Sequence, residues 1–197
     1  VTLQEQVWLI HADLRIGAKV AAAVALKGNS GIANRGVQVF GAGFVVTPQE
    51  AMQLQPCDRI RPYRNGKDLT DKPRGVMVID FFGFSAEEVR SHHPGAFQWL
   101  HERVKPERDQ SARQSYRDNW WILGENQPSM RAAIRDLSRY LVTALTAKHR
   151  AFQFIAGTIL PDQGLVTIAT SDAFMLGVLS SSPHAVWALA AGGTLED

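Results

Sequence analysis

The stretch Gly75–Phe81, GVMVIDF, decides how the rest of the chain is read. Its apolar run has the length of a strand. Val and Ile pack well on a pleated surface but lose rotamer freedom in a helix. Shortly after it, Ser85-Ala86-Glu87-Glu88 has the form of a capping box. There a Ser hydroxyl and a Glu carboxylate satisfy two backbone N–H groups at a helix start. A strand followed closely by a capped helix is the seed of the fold.

Upstream, Gly36–Val46 (GVQVFGAGFVV) alternates well enough to predict a strand, and Thr47-Pro48 supplies the N-cap and first turn of a helix. Lys19–Lys27 (KVAAAVALK) is short and apolar, which predicts a buried strand, and Gly28-Asn29-Ser30-Gly31 predicts a turn. The opening ten residues, VTLQEQVWLI, fit helix and strand equally.

Downstream, Pro94 cuts the capped helix, and a second helix is expected from Gly95 to Val104, burying Phe97, Leu100 and Val104. Asn119–Leu123 (NWWIL) reads as a strand, and Pro128 opens a helix running to about Leu137. Tyr140–Leu145 and Ala151–Ile155 read as strands joined by a polar link, followed by a strand at Leu165–Ala169. Ser171 or Asp172 caps a final helical region, interrupted at Pro183. Strands and helices mix without a regular βαβ rhythm. The expected class is α+β, with mostly antiparallel sheet, packed helices and a small C-terminal helical appendage. Two regions are expected, residues 1–145 and 146–197.

The chain has 197 residues, 45% of them hydrophobic and 20% charged, as in ordinary folded proteins. Its single cysteine, Cys57, excludes a disulfide framework and a cysteine-based zinc site, and fits a cytoplasmic setting. No apolar run reaches the length of a membrane span. The start at Val1 and the finish just after Gly-Gly lead to the expectation that this is a segment of a larger protein. Net charge is only +2, but all 21 Lys and Arg lie in residues 1–150 against 15 of the 19 acids. Residues 151–197 carry four acids and no Lys or Arg. A basic body points to an anionic partner.

Catalytic groups are hard to find. Phe40-Gly41-Ala42-Gly43-Phe44 resembles a glycine loop for S-adenosylmethionine, but apolar residues run straight on into Val45-Val46 where a helix would have to begin. The glycines read instead as a bulge or close backbone approach inside a strand. Asp80, with Glu87 or Glu88, is the only candidate for a metal-dependent nuclease, and a local turn or cap is the simpler role for a strand-end Asp. His92-His93 lacks a second ligand cluster and reads as a solvated loop. Ser180-Ser181-Ser182 lacks a nucleophile-elbow context. No catalytic residue and no metal ligand is assigned.

Basic segments carry more information. Arg61-Pro62-Tyr63-Arg64-Asn65-Gly66-Lys67 combines three cations, a ring and a tight-turn signal, with Asp68 placed to bond nearby backbone. Arg74, then Arg108, Arg113 and Arg117, then Lys148-His149-Arg150 extend the set. Arginine forks suit phosphate oxygens and guanine edges, and Asn suits adenine. The candidate contacts to an anionic partner such as DNA are Arg61, Tyr63, Arg64, Asn65, Lys67, Arg74, Arg108, Arg113, Arg117, Lys148, His149 and Arg150, with simple solvation the equal alternative on composition alone. A solvated helix face is the competing reading for Arg113 and Arg117. Trp120 and Trp121 read as core or interface before base-stacking platforms.

Several segments recur together in one known family: PYRNGKDL (62–69), VMVIDFFG (76–83), the HP-x5-L-x3-V-x-P-x-R run from His93 to Arg108, NWWILGENQPSMRAAI (119–134), RYLVTALTAKHRAFQF (139–154) and DAFMLGVLSSSPHAVWALAAGGTLE (172–196). In their order and spacing the chain resembles the target-recognition region and the start of the C-terminal region of large MmeI-like adenine-specific DNA methyltransferases of restriction–modification systems. One departure stands out. Ser182 and Pro183 occupy places where many relatives carry an Arg and an aliphatic residue, whereas His184 and Trp187 match.

The resemblance implies a sequence-specific reader of double-stranded DNA, partnered by an intramolecular methyltransferase domain that is not in this chain. That domain would bind S-adenosylmethionine and flip the adenine out of the stack. The chain itself is then expected to hold no cofactor and to have no enzymatic activity. A metal-dependent nuclease domain and a protein-docking domain are the alternatives.

Overall fold

The computed structural model describes Val24 and residues 26–54, 56–147 and 150–191, with the side chains of the last two residues left out. The expectation for the first ten residues lies outside these, as does most of the strand expected over Lys19–Lys27. Lys27 itself begins a single 3-10 turn ending at Asn29.

The described strands are β1 (Ala33–Arg35), β2 (Val45–Val46), β3 (Ile60–Arg64), β4 (Met77–Ile79), β5 (Arg139–Ala144), β6 (Phe152–Ala156), β7 (Leu160–Pro161) and β8 (Leu165–Ile168). They form two four-stranded sheets, in the orders β2-β4-β3-β7 and β1-β8-β5-β6. All pairings are antiparallel except that of β3 with β7. The helices are α1 (Pro48–Gln53), α2 (Lys67–Thr70), α3 (Ala86–His92), α4 (Pro94–Arg103), α5 (Lys105–Asp109), α6 (Gln114–Asp118), α7 (Pro128–Ile134), α8 (Ala173–Leu179) and α9 (Ser182–Ala191). The chain is an α+β fold with mixed, mostly antiparallel sheets. No described helix is long and apolar enough to cross a membrane.

The GVMVIDF strand lies inside the first sheet with β2 and β3 on its two sides, so both of its edges are paired. Val78, Ile79 and Phe81 are fully buried. The expected capping box forms, with Glu88 closing on Ser85 at the start of α3, and the expected N-cap Thr47 is closed in the same way by Glu50 at the start of α1. Pro94 breaks the following helix as expected, and α4 buries Leu100 against the core, with Val104 at its C-cap. His93 departs from the solvated-loop reading. It joins α3 to α4 with its ring beside Phe81, at 5.4 Å between centroids.

Two expected strands do not form, for identifiable reasons. Gly36–Val46 is not continuous, because Phe40 and Gly41 take positive φ and a 3-10 turn spans Ala42–Phe44. The close-approach reading of the glycines does hold at Gly43. A Cβ there would lie 2.7 Å from the Arg103 Cβ, and Gly43 O accepts from Trp99 Nε1 at 2.9 Å. NWWIL is a turn. Its Ile122 carbonyl accepts from the buried Arg108 guanidinium rather than from a neighbouring strand, while Trp120 and Leu123 fill the core.

The second sheet is covered on both sides. Tyr140, Val142 and Ile155 join the main core. Thr143, Phe152, Val166 and Ile168 face α8 and α9 on the other side. Asp172 caps α8 by accepting from Phe174 N, and Pro183 falls in the first turn of α9, where no N–H is missed. The boundary expected at residue 145 falls in the β5–β6 turn. Hydrogen bonds cross it in both sheets, because β6, β7 and β8 complete sheets begun by β1, β3 and β5. Residues 36–37 tie the sheets together, with Gly36 N bonded to Leu165 O and Val37 N to Pro161 O.

Candidate nucleic-acid interface

The Asn65-Gly66 signal produces a one-turn helix rather than a hairpin. Asn65 Oδ1 accepts from Asp68 N and Asp68 Oδ2 accepts from Asn65 N, so the two side chains close the start of α2 reciprocally. Asp68 also receives Arg74 through its Nε at 3.0 Å, its Nη2 at 2.7 Å and its backbone N–H at 2.9 Å. Burial alone would raise the Asp68 carboxyl. The Arg74 and Asn65 hydrogen bonds outweigh it and bring the group down to about 2. Arg74 therefore anchors the loop with its fork, although its side chain is 42% exposed.

This anchored loop sits at the end of the second sheet. The Cα of Gly66 faces Ala144, the last residue of β5, and an added Cβ would meet the Ala144 Cβ at 3.6 Å. Gln153 of β6 donates to Leu69 O. The link from β5 to β6 carries Arg150, which lines the opposite face of this sheet beside Thr143 and Phe152. The side chains of Arg64, Lys67 and Arg150 have no hydrogen-bonding or ionic partner among the described residues. Lys67 and Arg150 are exposed and Arg64 is half-buried. Lys148 and His149 lie outside the described residues.

Other expected contacts are committed elsewhere. Tyr63 is buried and donates its hydroxyl to Asp162, and burial together with that carboxylate raises the phenol's pKa. Arg108 is wholly enclosed. Its Nη2 donates to Val39 O and Ile122 O, and its guanidinium lies 4.8 Å from the Tyr116 ring. Tyr63 and Arg108 are corrected out of the contact set, because neither can reach a phosphate without unpacking the core.

Arg61 spans the Gly157–Thr158 backbone, with its Nη1 at 3.6 Å from Asp80. Arg113 bonds Tyr116 and Glu125, and Arg117 bonds Ser111 O and Gln114. From Arg64 the backbone partners run through Asp162, Val37–Gln38 and Glu125.

One central feature, the Asp80 site, has no signature in the sequence. Asp80 is 6% exposed and takes a two-pronged hydrogen bond from Arg131 on α7, at 2.6 and 2.9 Å. Arg61 Nη1 lies 3.6 Å from Oδ2, the oxygen bonded at 2.6 Å, and Phe82 N donates to Oδ1 at 3.4 Å. Both carboxylate oxygens are thereby occupied by guanidinium groups, the opposite of a metal-binding arrangement. Arg131 lies fifty-one residues from Asp80, and only tertiary folding pairs them. Among the described residues no group of three or more His, Cys, Asp or Glu is placed to hold a metal ion.

No protein-family profile and no curated protein matches the sequence. Among solved structures, the chain is similar to the type IIL restriction–modification enzyme MmeI in complex with DNA, with a TM-score of 0.65 at 15% identity. The match covers 83% of this chain and 22% of that one, so the chain spans about a fifth of its structural neighbour. At that identity the likeness is one of fold.

Proposed function

We propose that this chain is the double-stranded DNA target-recognition module of an adenine-specific DNA methyltransferase of the restriction–modification type, acting in the cytoplasm. The observation that carries the reading is a fold shared with a DNA-bound restriction–modification enzyme, in which the loop bearing Arg64 and Lys67 is held against the end of β5 and Arg150 follows on the link to β6. Cationic side chains without partners among the described residues, held on hydrogen-bonded loops, are suited to phosphates, and Asn65 beside them is suited to a base edge. Transfer of the methyl group, and the S-adenosylmethionine it needs, would belong to a separate domain of the same protein, and this module would perform no catalysis.

The test is fluorescence anisotropy of a mixed-sequence duplex of about 20 base pairs against salt. Replacing Arg64, Lys67 and Arg150 together by Ala should reduce the slope of log affinity on log salt by about 2 to 3, near 0.9 for each phosphate that is no longer neutralised. An unchanged slope refutes the reading.

A second reading, protein docking, draws on the apolar surface of α8 and α9, where Phe174 and Leu189 are 72% and 78% exposed. The two are compatible if that face meets the methyltransferase domain. The nuclease alternative loses support because Arg131 and Arg61 occupy Asp80.

A further inference from the structure

Between the outer face of the second sheet and α9 lies an open cleft of about 380 Å³. Its floor is Val166 and Ile168, and its walls are Phe152, His184 and Trp187. Arg150 stands at the rim, exposed and without a partner among the described residues. We infer that this cleft binds a single nucleotide, its base against the aromatic walls and its phosphate on Arg150.

Four observations carry this. First, the volume lies at the small end of ligand pockets, the range for a nucleotide rather than a peptide. Second, the rings are held: Phe152 and His184 meet edge to face at 5.8 Å, and Trp187 is kept 52% exposed rather than packed away. A large ring half open above an apolar floor is a stacking platform with one face unused. Third, His184 turns Nδ1 inward, where it is buried without a partner, which leaves Nε2 as the edge able to meet a ligand. Fourth, no carboxylate lines the cleft among the described residues, so its polarity favours an anion.

The start of α9 bears on the same point. Ser182 and Pro183 open that helix without a charge, and Arg150 is the cation among the described residues that line the cleft.

Two sources present this chemistry: a free mononucleotide, or an unstacked nucleotide of a strand passing Arg150. The second rests on the DNA reading above; the first does not. The chain has five tryptophans, so an amide–indole correlation spectrum resolves Trp187, assigned by Trp187→Phe. Titration with deoxyadenosine monophosphate to about 10 mM should move the Trp187 indole signal, and deoxyadenosine without phosphate should bind several-fold more weakly. Arg150→Gln should remove that phosphate advantage without shifting the melting temperature, since Arg150 packs on nothing in the core. A short single strand binding more tightly than the mononucleotide identifies the strand as source, and equal binding identifies the free nucleotide. An unmoved Trp187 signal, or a shift that Arg150→Gln leaves intact, overturns the inference. Duplex anisotropy on the same samples shows separately whether the DNA reading stands.

Discussion

Replacing Arg131 by Met tests whether the Asp80 site is structural. Wild-type Asp80 is almost fully buried, and two charge-assisted hydrogen bonds from Arg131 offset the loss of its hydration. Such bonds contribute about 1.5–3 kcal/mol each, and removing one partner of a buried pair typically costs about 3–5 kcal/mol. Arg61, at 3.6 Å and one-third exposed, keeps some compensation in the variant. Loss of the Arg131 Nε bond to Asn126 O and of its 4.6 Å stacking on Phe82 acts in the opposite direction. The expected destabilisation is about 3 kcal/mol, read as a lower urea midpoint at unchanged slope. Asp80→Leu combined with Arg131→Met removes the stranded charge as well and should recover about half of the loss or more. A single-variant cost below about 1 kcal/mol would mean that water solvates Asp80, and the structural account would fail. Additive costs in the double variant would fail it equally, because a cycle on a coupled pair cannot be additive.

Two further outcomes follow from other buried charges. The Asp68 carboxyl is held at about 2 in the folded chain, below its unfolded value, so the unfolded state binds the proton first. The stability it contributes is present above pH ~4 and is lost as pH falls towards 2, by about 1–2 kcal/mol once solvent screening at the exposed Arg74 is allowed for. Urea midpoints from pH 5 to pH 2 should fall less steeply for Asp68→Asn than for wild type; parallel curves would refute this. Arg108→Met should cost about 2 kcal/mol in urea, chiefly from the Ile122 carbonyl left unpaired, since Val39 O keeps its bond from Gly124 N. It should leave DNA affinity and its salt slope unchanged below the unfolding transition, and a reduced slope would return Arg108 to the contact surface.

Legibility differed sharply between elements. Thr47-Pro48 with Glu50, and Ser85 with Glu88, were readable because each cap closes within three residues, independently of what packs against it. The α3–α4 break at Pro94 is local for the same reason. The candidate site was half readable. The cationic stretch around Arg64 and Lys67 stands out as residues, but composition cannot separate a cation held for a partner from one consumed inside. Arg74, Arg113 and Arg117 are each bonded to other groups of the chain, and Arg108 is packed into the core. The cleft under Trp187 had no sequence signature, since β5, β6, β8 and α9 each supply only part of it.

By itself the sequence determined the mixed class, the GVMVIDF strand, the helix starts and the concentration of positive charge in residues 1–150. These depend on rotamer freedom, capping and proline geometry, which act over a few residues. Tertiary structure alone decided that NWWIL turns, that Gly36–Val46 breaks at Phe40-Gly41, that Arg131 meets Asp80 and that Arg108 is buried. In each case a backbone or charged group found its partner far along the chain, and the free energy of that pairing outweighed a local preference worth less than a kcal/mol or so per residue.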